Sequence, residues 1–151
     1  MASPLERLHA RARDRGARVA LPEAQDERVL AAAARAVAAG LCRPLLLGEP
    51  EAVAARVRAL GLGPVGEVLD PRSGPAIAAA RAHLAARLTP RGLPAGELAR
   101  RCDDASHLAC ALVATGAADG AVLGAVATTA ATLRAALAAI GPRRGLERIS
   151  S

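Results

Sequence analysis

Thr128 and Thr129, followed by Arg134, are the residues of this chain whose types and spacing best suit the binding of an anion. They follow a turn that contains Gly124, and Arg134 lies about one and a half turns into the helix predicted to begin there. The first N–H groups of a helix lack intrahelical partners and carry partial positive charge, and a guanidinium binds a phosphate or carboxylate through two hydrogen bonds. In the simpler interpretation, one threonine caps the helix and Arg134 projects into water. Spacing alone favours the simpler interpretation.

Other motifs for phosphate binding or nucleophilic catalysis are absent from the sequence. No GxGxxG follows the first predicted strand, a Walker loop is impossible without lysine, and no GxSxG elbow occurs. His9, His83 and His107 are scattered, so structural or solvated roles are predicted for them. Cys110 has apolar neighbours, which raise rather than lower the pKa of a thiol. The sequence therefore identifies no catalytic residue.

The cysteines and the amino-terminal segment bear on compartment and metal binding. Cys42, Cys102 and Cys110 give an odd count without CxxC spacing, so we expect free thiols in a reducing compartment rather than disulfides. His107 and Cys110 could share a helical face, but no fourth ligand is evident and no metal site is expected. The amino-terminal segment is too charged for a signal peptide, and no apolar run is long enough to span a bilayer. We predict a cytoplasmic protein without a membrane partner.

The composition is that of a basic protein built from small apolar residues. The 151 residues carry a net charge of +6, are 52% hydrophobic and include no Phe, Tyr or Trp. All 20 basic residues are arginine, a bias typical of G+C-rich coding, so their number alone does not indicate a function. Nucleic-acid binding is not expected, because the chain has no aromatic side chains for base stacking and no basic arm. Small anionic substrates are favoured.

Short apolar strands alternate with amphipathic helices along the whole chain. Strands are predicted at 17–21, 43–48, 66–71 and 118–126, with a last one starting at 146–151. Helices are predicted at 3–16, 26–40, 49–61, 73–88 and 128–141, with one or two more through 95–115. This alternation predicts one α/β domain over residues 1–151, a three-layer α/β/α arrangement with a mostly parallel sheet. The strand at 146–151 either ends the sheet or leads into a further half.

Four segments, taken in order, resemble the phosphate acetyl/butyryl transferase family. The first is "RVALPEAQDERVLAAAARAVAAGLCRPLLLGEPEAV", with a strand ending in Leu-Pro-Glu and a helix that starts with an acidic residue and Glu-Arg-Val. The second is "ARLTPRGL", which is similar to an arginine-rich turn before the family's middle helices. The third is "LVATGAADGAVLGAVATTAATLRAALAAIG", with an Asp-Gly strand, a threonine turn and an arginine helix. The fourth, "GLERISS", resembles the start of the strand that enters the family's second half.

The resemblance implies an acyltransferase that moves an acetyl or other short acyl group between coenzyme A and inorganic phosphate. Family members have two α/β domains with the active cleft between them, so this chain corresponds to the first domain. Coenzyme A and acetyl-CoA are implied as substrates, and no tightly bound cofactor is implied. Arg87 and Arg134 fall on family arginines that hold the phosphoryl end, and we expect them to converge on one anion beside Thr128 and Thr129. The family's general-base aspartate lies in the second half, so independent turnover by these residues is not expected.

The chain also departs from the family pattern. Ala127 stands where a polar residue is usual, Ala131 where an acidic one is usual, and Ala135 where proline commonly follows the arginine. Aromatic positions before the Asp-Gly strand are His107 and Leu108 here. The alternative hypothesis is therefore a non-catalytic module that binds phosphate or acyl phosphate, or a split subunit that needs a separate second half. Expected partners are small-molecule substrates, together with a second copy of the chain or the missing carboxyl-terminal half.

Overall fold

The computed structural model describes residues 3–142 and 145. Within these residues the chain forms helices and strands in the order α1 (Pro4–Arg15), β1 (Arg18–Leu21), α2 (Glu27–Ala38), β2 (Arg43–Leu47), α3 (Pro50–Ala59), β3 (Glu67–Leu69), α4 (Pro75–Leu88), α5 (Ala95–Asp103), α6 (Ala105–Ala114), β4 (Gly120–Ala121) and α7 (Thr129–Ala139). A short 3₁₀ turn at Thr89–Arg91 follows α4. The predicted alternation of strands and helices is confirmed, and the predicted strand at 146–151 lies outside the described residues.

The four strands form one sheet in the order β3-β2-β1-β4, and every described pair is parallel. The chain builds the sheet outward from β1 through β2 to β3, and then returns through α4, α5 and α6 to place β4 on the other side of β1. The order of the strands therefore reverses between β1 and β4. In open parallel sheets, ligands bind outside the carboxyl ends of the strands at such a reversal.

Two hydrophobic cores cover the two faces of the sheet. In β2, Leu45 and Leu47 face one core, which α4, α6 and α7 complete, whereas Leu46 faces the other core with Leu30 of α2 and Val53 of α3. Side chains of a strand alternate between faces, so the continuous apolar run of β2 serves both cores. The predicted three-layer α/β/α arrangement with a parallel sheet is confirmed. Since the chain has no aromatic residue, leucines and closely packed alanines fill both cores.

Helix α1 has the predicted ends but little packing. Ser3 and Glu6 form a reciprocal capping box, and Gly16 ends the helix in the left-handed conformation at φ 54°. None of its residues is buried, and Leu5 and Leu8 are 60% and 58% exposed. Leu5 and Leu8 therefore form the predicted apolar face of α1, but no other described element covers that face.

The last described strand is shorter than predicted. The sequence predicts a strand over 118–126, but β4 is only Gly120–Ala121, extended by one hydrogen bond from the Val122 N–H to the Ala20 carbonyl at 3.0 Å. From Gly124 onward the backbone leaves the sheet, because its N–H groups turn toward a side chain at the end of β1. That turn leads directly into α7.

Candidate functional site

A crevice lies at the carboxyl edge of the sheet, where the strand order reverses. It has a volume of about 430 Å³. Three segments line it, namely the β1–α2 turn, the start of α6 and the turn between β4 and α7, through Pro22, Glu23, Gln25, Asp26, Ala105, Ser106, Val126 and Ala127. The position matches the general rule for ligand sites in parallel sheets. Thr128 and Thr129 directly follow two of its lining residues, Val126 and Ala127.

Glu23, the last residue of the Leu-Pro-Glu sequence after β1, binds the turn before α7 through four consecutive N–H groups. Its Oε2 accepts from Gly124 at 3.1 Å and from Ala125 at 2.8 Å. Its Oε1 accepts from Val126 at 2.9 Å and from Ala127 at 2.7 Å. Successive N–H groups that point at one anion form a concave anion-binding nest. In this structure the anion is the protein's own carboxylate.

The surroundings of Glu23 act on its pKa in opposite directions. Burial raises the pKa, but the four backbone donors stabilise the charged form and together outweigh burial, so the pKa lies below its ordinary value. The carboxylate is therefore ionised at neutral pH. A charged acceptor makes each of these hydrogen bonds stronger than a neutral one would.

Arg28 binds a carbonyl of the same turn. Its Nη2 donates to the Ala125 carbonyl at 2.6 Å and to Oδ2 of Asp26 at 2.8 Å, while its Nε donates to Oδ1 of Asp26 at 3.0 Å. Asp26 also caps α2 by accepting from the Arg28 N–H. The side-chain hydrogen bonds from Arg28 lower the pKa of Asp26 to about 2. Glu23 thus binds the N–H groups of the turn, and Arg28 binds one of its carbonyls.

Thr128 caps α7, as the simpler interpretation predicts. Its hydroxyl accepts from the Ala131 N–H at 3.2 Å, and its carbonyl accepts from the Thr132 N–H at 3.0 Å. Among the described residues, the N–H groups of Thr129 and Ala130 have no hydrogen-bond partner. The cap therefore leaves two donors at the amino end of an eleven-residue helix for another acceptor.

A second, smaller cavity lies beside the start of α7. It has a volume of about 310 Å³ and is lined by Leu123, Gly124, Ala127, Thr129, Thr132 and Leu133. Gly124 has φ 103°, a conformation that favours glycine, so the backbone can turn closely at the edge of this cavity. The buried hydroxyl oxygen of Thr132 has no partner within the part of the chain that the structure describes. Polar groups without a partner thus border the cavity at the helix start.

Arg134 projects from the exposed side of α7. It makes no hydrogen bond and no ion pair with residues 3–142 or 145. Its guanidinium is therefore not committed to another described group. This arrangement agrees with the simpler interpretation of Arg134, and it also leaves the side chain available to an anion.

Arg87 lies at the opposite end of α7 from the threonines. Its Nε donates to the Ala138 carbonyl at 2.8 Å, and a methyl group on Gly141 would lie 2.8 Å from its Nη2. Ala138 is ten residues after Thr128, which is about 15 Å along a helix axis. The structure therefore does not bring Arg87 to the threonine turn. Arg134, four residues before Ala138, lies between the two along the helix.

Ala127 and Ala131 take part in this region through their backbones. The Ala127 N–H donates to Glu23 and the Ala131 N–H donates to Thr128. Neither side chain can offer a polar atom to a ligand. At these two positions the structure shows backbone contacts that hold the turn and the helix start.

His107 and the three cysteines lie in surroundings that do not suit catalysis by a nucleophile. Nδ1 of His107 lies 2.7 Å from Oδ2 of Asp104, which caps α6. Burial raises the pKa of Cys110 to about 11, and the charge of Asp104 adds to the effect. Burial also raises the pKa of Cys42 and Cys102. The prediction that Cys110 is a poor nucleophile is in line with this environment.

Two kinds of feature are absent from the described residues. Within residues 3–142 and 145, no three His, Cys, Asp or Glu side chains come close enough together to hold a metal ion. None of the described helices combines the length and the apolar character needed to cross a bilayer.

Glu23 and Arg28 are the two residues of this region that sequence reasoning missed. The sequence contains a usable signal, because Glu23 lies two residues after the first predicted strand and strands of a parallel sheet end at one edge. What the sequence does not contain is the partner: four N–H groups about a hundred residues away, in a turn without polar side chains.

The comparisons with known proteins agree with this fold. The family described as Phosphate acetyl/butaryl transferase matches residues 3–151. Phosphate acetyltransferase of Paracoccus denitrificans is 39% identical over 92 residues, which are 61% of this chain and 26% of that protein.

Two solved structures resemble the chain closely in fold. A phosphotransacetylase from Streptococcus pyogenes superposes with a TM-score of 0.83 at 28% identity, over 95% of this chain and 44% of its own. The EutD phosphotransacetylase from Staphylococcus aureus gives 0.80 at 27% identity, over 93% of this chain and 43% of its own. The chain thus spans less than half the length of these relatives. Together with the family match over nearly its whole length, the fold shows that this chain belongs to the phosphate acetyl/butyryl transferase family.

Proposed function

We propose that this chain is the first domain of an acyltransferase that moves an acetyl or other short acyl group between coenzyme A and inorganic phosphate. Membership of the family supports the reaction type. The observation that carries the assignment within the chain is the open amino end of α7. There, two N–H donors and the Thr129 and Thr132 hydroxyls border one cavity at the carboxyl edge of the sheet.

The chemistry of a phosphate explains why this end of the helix suits it. A phosphate dianion needs several hydrogen-bond donors and positive charge, and a helix start supplies both without a metal ion. The 124–127 turn cannot serve this purpose, since Glu23 already occupies its N–H groups. We therefore place the phosphate at Thr128–Ala130 and beside the Thr129 hydroxyl, one step further along the chain.

Arg134 and Arg87 are the proposed sources of positive charge for the phosphoryl end. Arg134 is exposed and uncommitted within the described chain, so it can reach an anion bidentately. Arg87 holds the Ala138 carbonyl through Nε, and no described residue accepts a hydrogen bond from its two terminal nitrogens. Because α7 separates Thr128 from Ala138 by about 15 Å, one phosphate can contact Arg134 together with only one of the two ends. A substrate that contacts both arginines as well as Thr128 and Thr129 must therefore extend along the helix.

In the proposed reaction the coenzyme A thiol attacks the acyl phosphate carbonyl and phosphate leaves. Fixed donors and cations favour this step, because negative charge grows on the leaving phosphate in the transition state. No described residue is placed as a general base for the thiol, and the family resemblance puts that aspartate in the second half. We therefore expect these 151 residues alone to bind phosphate without measurable turnover. Turnover needs the second domain to orient both substrates.

A specific observation also favours the second candidate, a non-catalytic phosphate-binding module or split subunit. Ala127 and Ala131 bring only backbone groups to a region where the family usually has polar side chains. A site that kept donors for phosphate but lost side chains around the acyl group would bind the anion without reaction. All of these forms predict the same behaviour for the isolated chain. When a second half is supplied, a first domain or a split subunit gains turnover, whereas a non-catalytic module does not.

The experiment combines a binding measurement with an activity assay. Inorganic phosphate and acetyl phosphate are titrated into the chain by calorimetry, and acetyl-CoA formation is measured with the chain alone and with the second domain of a homologous phosphotransacetylase added. Arg134→Ala is expected to weaken phosphate binding by about tenfold or more, the size expected for one charge-assisted contact. Arg58→Ala, which removes the same charge from exposed α3, is the control. Equal phosphate affinity in wild type and Arg134→Ala would contradict the proposed site, and turnover by the chain alone would contradict the assigned need for a second domain.

A further inference from the structure

We infer that Glu23 is a positioning residue, whose carboxylate sets the conformation of the 124–127 turn and thereby the direction in which α7 begins. The inference deepens the proposed function and rests on it, because the group that Glu23 orients is the proposed phosphate site. Glu23 itself does not touch the phosphate in this arrangement. It acts through the turn.

The turn has no means of fixing its own shape. Residues 124–127 are Gly, Ala, Val and Ala, so no side chain in the turn can make a hydrogen bond. Gly124, at φ 103°, adds the conformational freedom of glycine at the first position. Val126 is 69% exposed and therefore contributes little packing. The contacts that determine the shape come from outside the turn.

Those contacts come from the short segment 23–28, which joins the end of β1 to the first turn of α2. Glu23 accepts all four N–H groups of the turn at 2.7–3.1 Å, and Arg28 donates to the Ala125 carbonyl. Both oxygens of the carboxylate are used twice, so a neutral amide at this position could satisfy at most one pair of donors. A carboxylate is thus required by geometry as well as by charge.

The turn continues without a break into the proposed site. Ala127, which donates to Glu23 at 2.7 Å, is followed by Thr128, whose hydroxyl caps α7. A change in the path of residue 127 therefore moves the Thr128 cap and the open N–H groups after it. Small displacements of binding groups lower activity strongly, since hydrogen bonds depend on distance and angle.

The experiment uses Glu23→Ala with formate as a replacement for the missing carboxylate. Amide resonances of residues 124–130 are followed by ¹⁵N NMR in wild type, Glu23→Ala and Glu23→Gln, and phosphate is titrated into each. Glu27→Gln is the matched control, since Glu27 is an exposed carboxylate in the first turn of α2 whose ion pair to Arg56 is 3.6 Å long. It removes the same charge from the same stretch of chain without touching the turn.

The expected result is specific to position. Glu23→Ala shifts the amides of 124–127 and also those of 128–130, and weakens phosphate binding between about tenfold and a hundredfold. Formate, which fits between the four donors, restores both the amide positions and the affinity, whereas chloride at equal ionic strength does not. Glu23→Gln remains impaired, and Glu27→Gln behaves as wild type. A residue that only stabilised the fold would lower the melting temperature without recovery of phosphate affinity by formate.

Two outcomes would overturn the inference. The first is a folded Glu23→Ala protein that binds phosphate as tightly as wild type. The second is an absence of movement in the amides of 128–130 when those of 124–127 shift. If Glu23→Ala does not fold, the same comparison is made with Glu23→Gln against Glu27→Gln. If wild type itself binds no phosphate, the proposed function fails, and the amide shifts with their recovery in formate still decide whether Glu23 positions α7.

Discussion

The two ends of α7 contrast in how completely their backbone groups are bonded. At the carboxyl end, Arg87 donates to the Ala138 carbonyl, and Nε2 of His83 lies 2.7 Å from the Ala139 carbonyl. At the amino end, the Thr128 hydroxyl accepts from the Ala131 N–H. The N–H groups of the preceding turn, residues 124–127, are bound by Glu23. The N–H groups of Thr128, Thr129 and Ala130 have no hydrogen-bond partner among the described residues.

The difference separates a structural arginine contact from a candidate site. Arg87 and Arg134 have the same side chain and were assigned the same role by resemblance, but Arg87 is half-buried against carbonyls and Arg134 is exposed. Cations stabilise a helix at its carboxyl end, and anions at its amino end. We therefore expect Arg87 to contribute to stability through this contact, whereas Arg134 has no such contact among the described residues.

The largest expected effect concerns that structural contribution. Arg87→Ala removes a partly buried charged donor from the last carbonyls of α7, and we expect the free energy of unfolding to fall by about 2 kcal/mol. Arg134→Ala, on the exposed side of the same helix, should change it by no more than about 0.5 kcal/mol. Urea denaturation of both variants measures the difference. Equal losses would mean that the two ends of α7 are not held differently.

The second prediction concerns the close packing of Arg87 against Gly141, two residues after α7. Gly141 has φ 81°, and a Cβ there would lie 2.8 Å from Nη2 of Arg87. We expect Gly141→Ala to destabilise the fold by about 1.5 kcal/mol, from the left-handed conformation together with displacement of the guanidinium. Gly92→Ala is the control, because Gly92 has φ 68° with open space around it and isolates the conformational part. If both variants lose the same amount, the contact with Arg87 contributes nothing.

The sequence predicted the parts of this molecule that depend on local pattern. Helix ends marked by Ser3, Asp26 and Thr128, and the apolar strand that became β2, depend on residues close in sequence, and the structure confirms them. The parallel sheet followed from the alternation of these elements. Pattern could also predict that the segment around Thr128 lies at the carboxyl edge of the sheet.

Contacts between distant segments were not predictable in the same way. The bond between Glu23 and the 124–127 turn spans about a hundred residues, and the turn has no side chain to reveal it. The same limit explains Arg87: resemblance assigned it to an anion, but its distance from Thr128 follows from how α4 packs beside the far end of α7. A related reason explains why β4 is shorter than the strand predicted at 118–126. The N–H groups of residues 124–127 bind Glu23 and are therefore not available to the sheet.

A smaller effect is expected from substitution of the two threonines, of which only Thr128 caps α7. Thr128→Ala removes the cap and should cost about 1 kcal/mol of stability. Thr129→Ala should change stability by less than about 0.5 kcal/mol, because its hydroxyl accepts or donates no hydrogen bond among the described residues. Under the proposed function, Thr129→Ala nevertheless weakens phosphate binding. Denaturation and phosphate titration of both variants separate capping from binding. A Thr129→Ala protein that lost stability as strongly as Thr128→Ala would remove that separation.

The smallest effect is a pH dependence confined to the amino end of α7. The pKa of Glu23 in the fold lies below its ordinary value of 4.5, so the unfolded chain takes up the proton first as the pH falls. The stability from this carboxylate is therefore complete above pH 4.5 and is lost as the pH falls through the lower, folded pKa. No such loss is expected at the carboxyl end of α7, where the Ala138 carbonyl is held by Arg87 and no described carboxylate takes part in the contact.

Amide resonances followed downward from about pH 5 test this asymmetry. Those of Gly124–Ala127 should shift together, with one midpoint below 4.5, because all four donate to the same carboxylate. In Glu23→Gln the shared transition should disappear, while it remains in Glu27→Gln. A common midpoint at 4.5 or above in the wild type would mean that the four donors do not stabilise the charged form, and the contrast between a saturated turn and an open helix start would then lose its electrostatic basis.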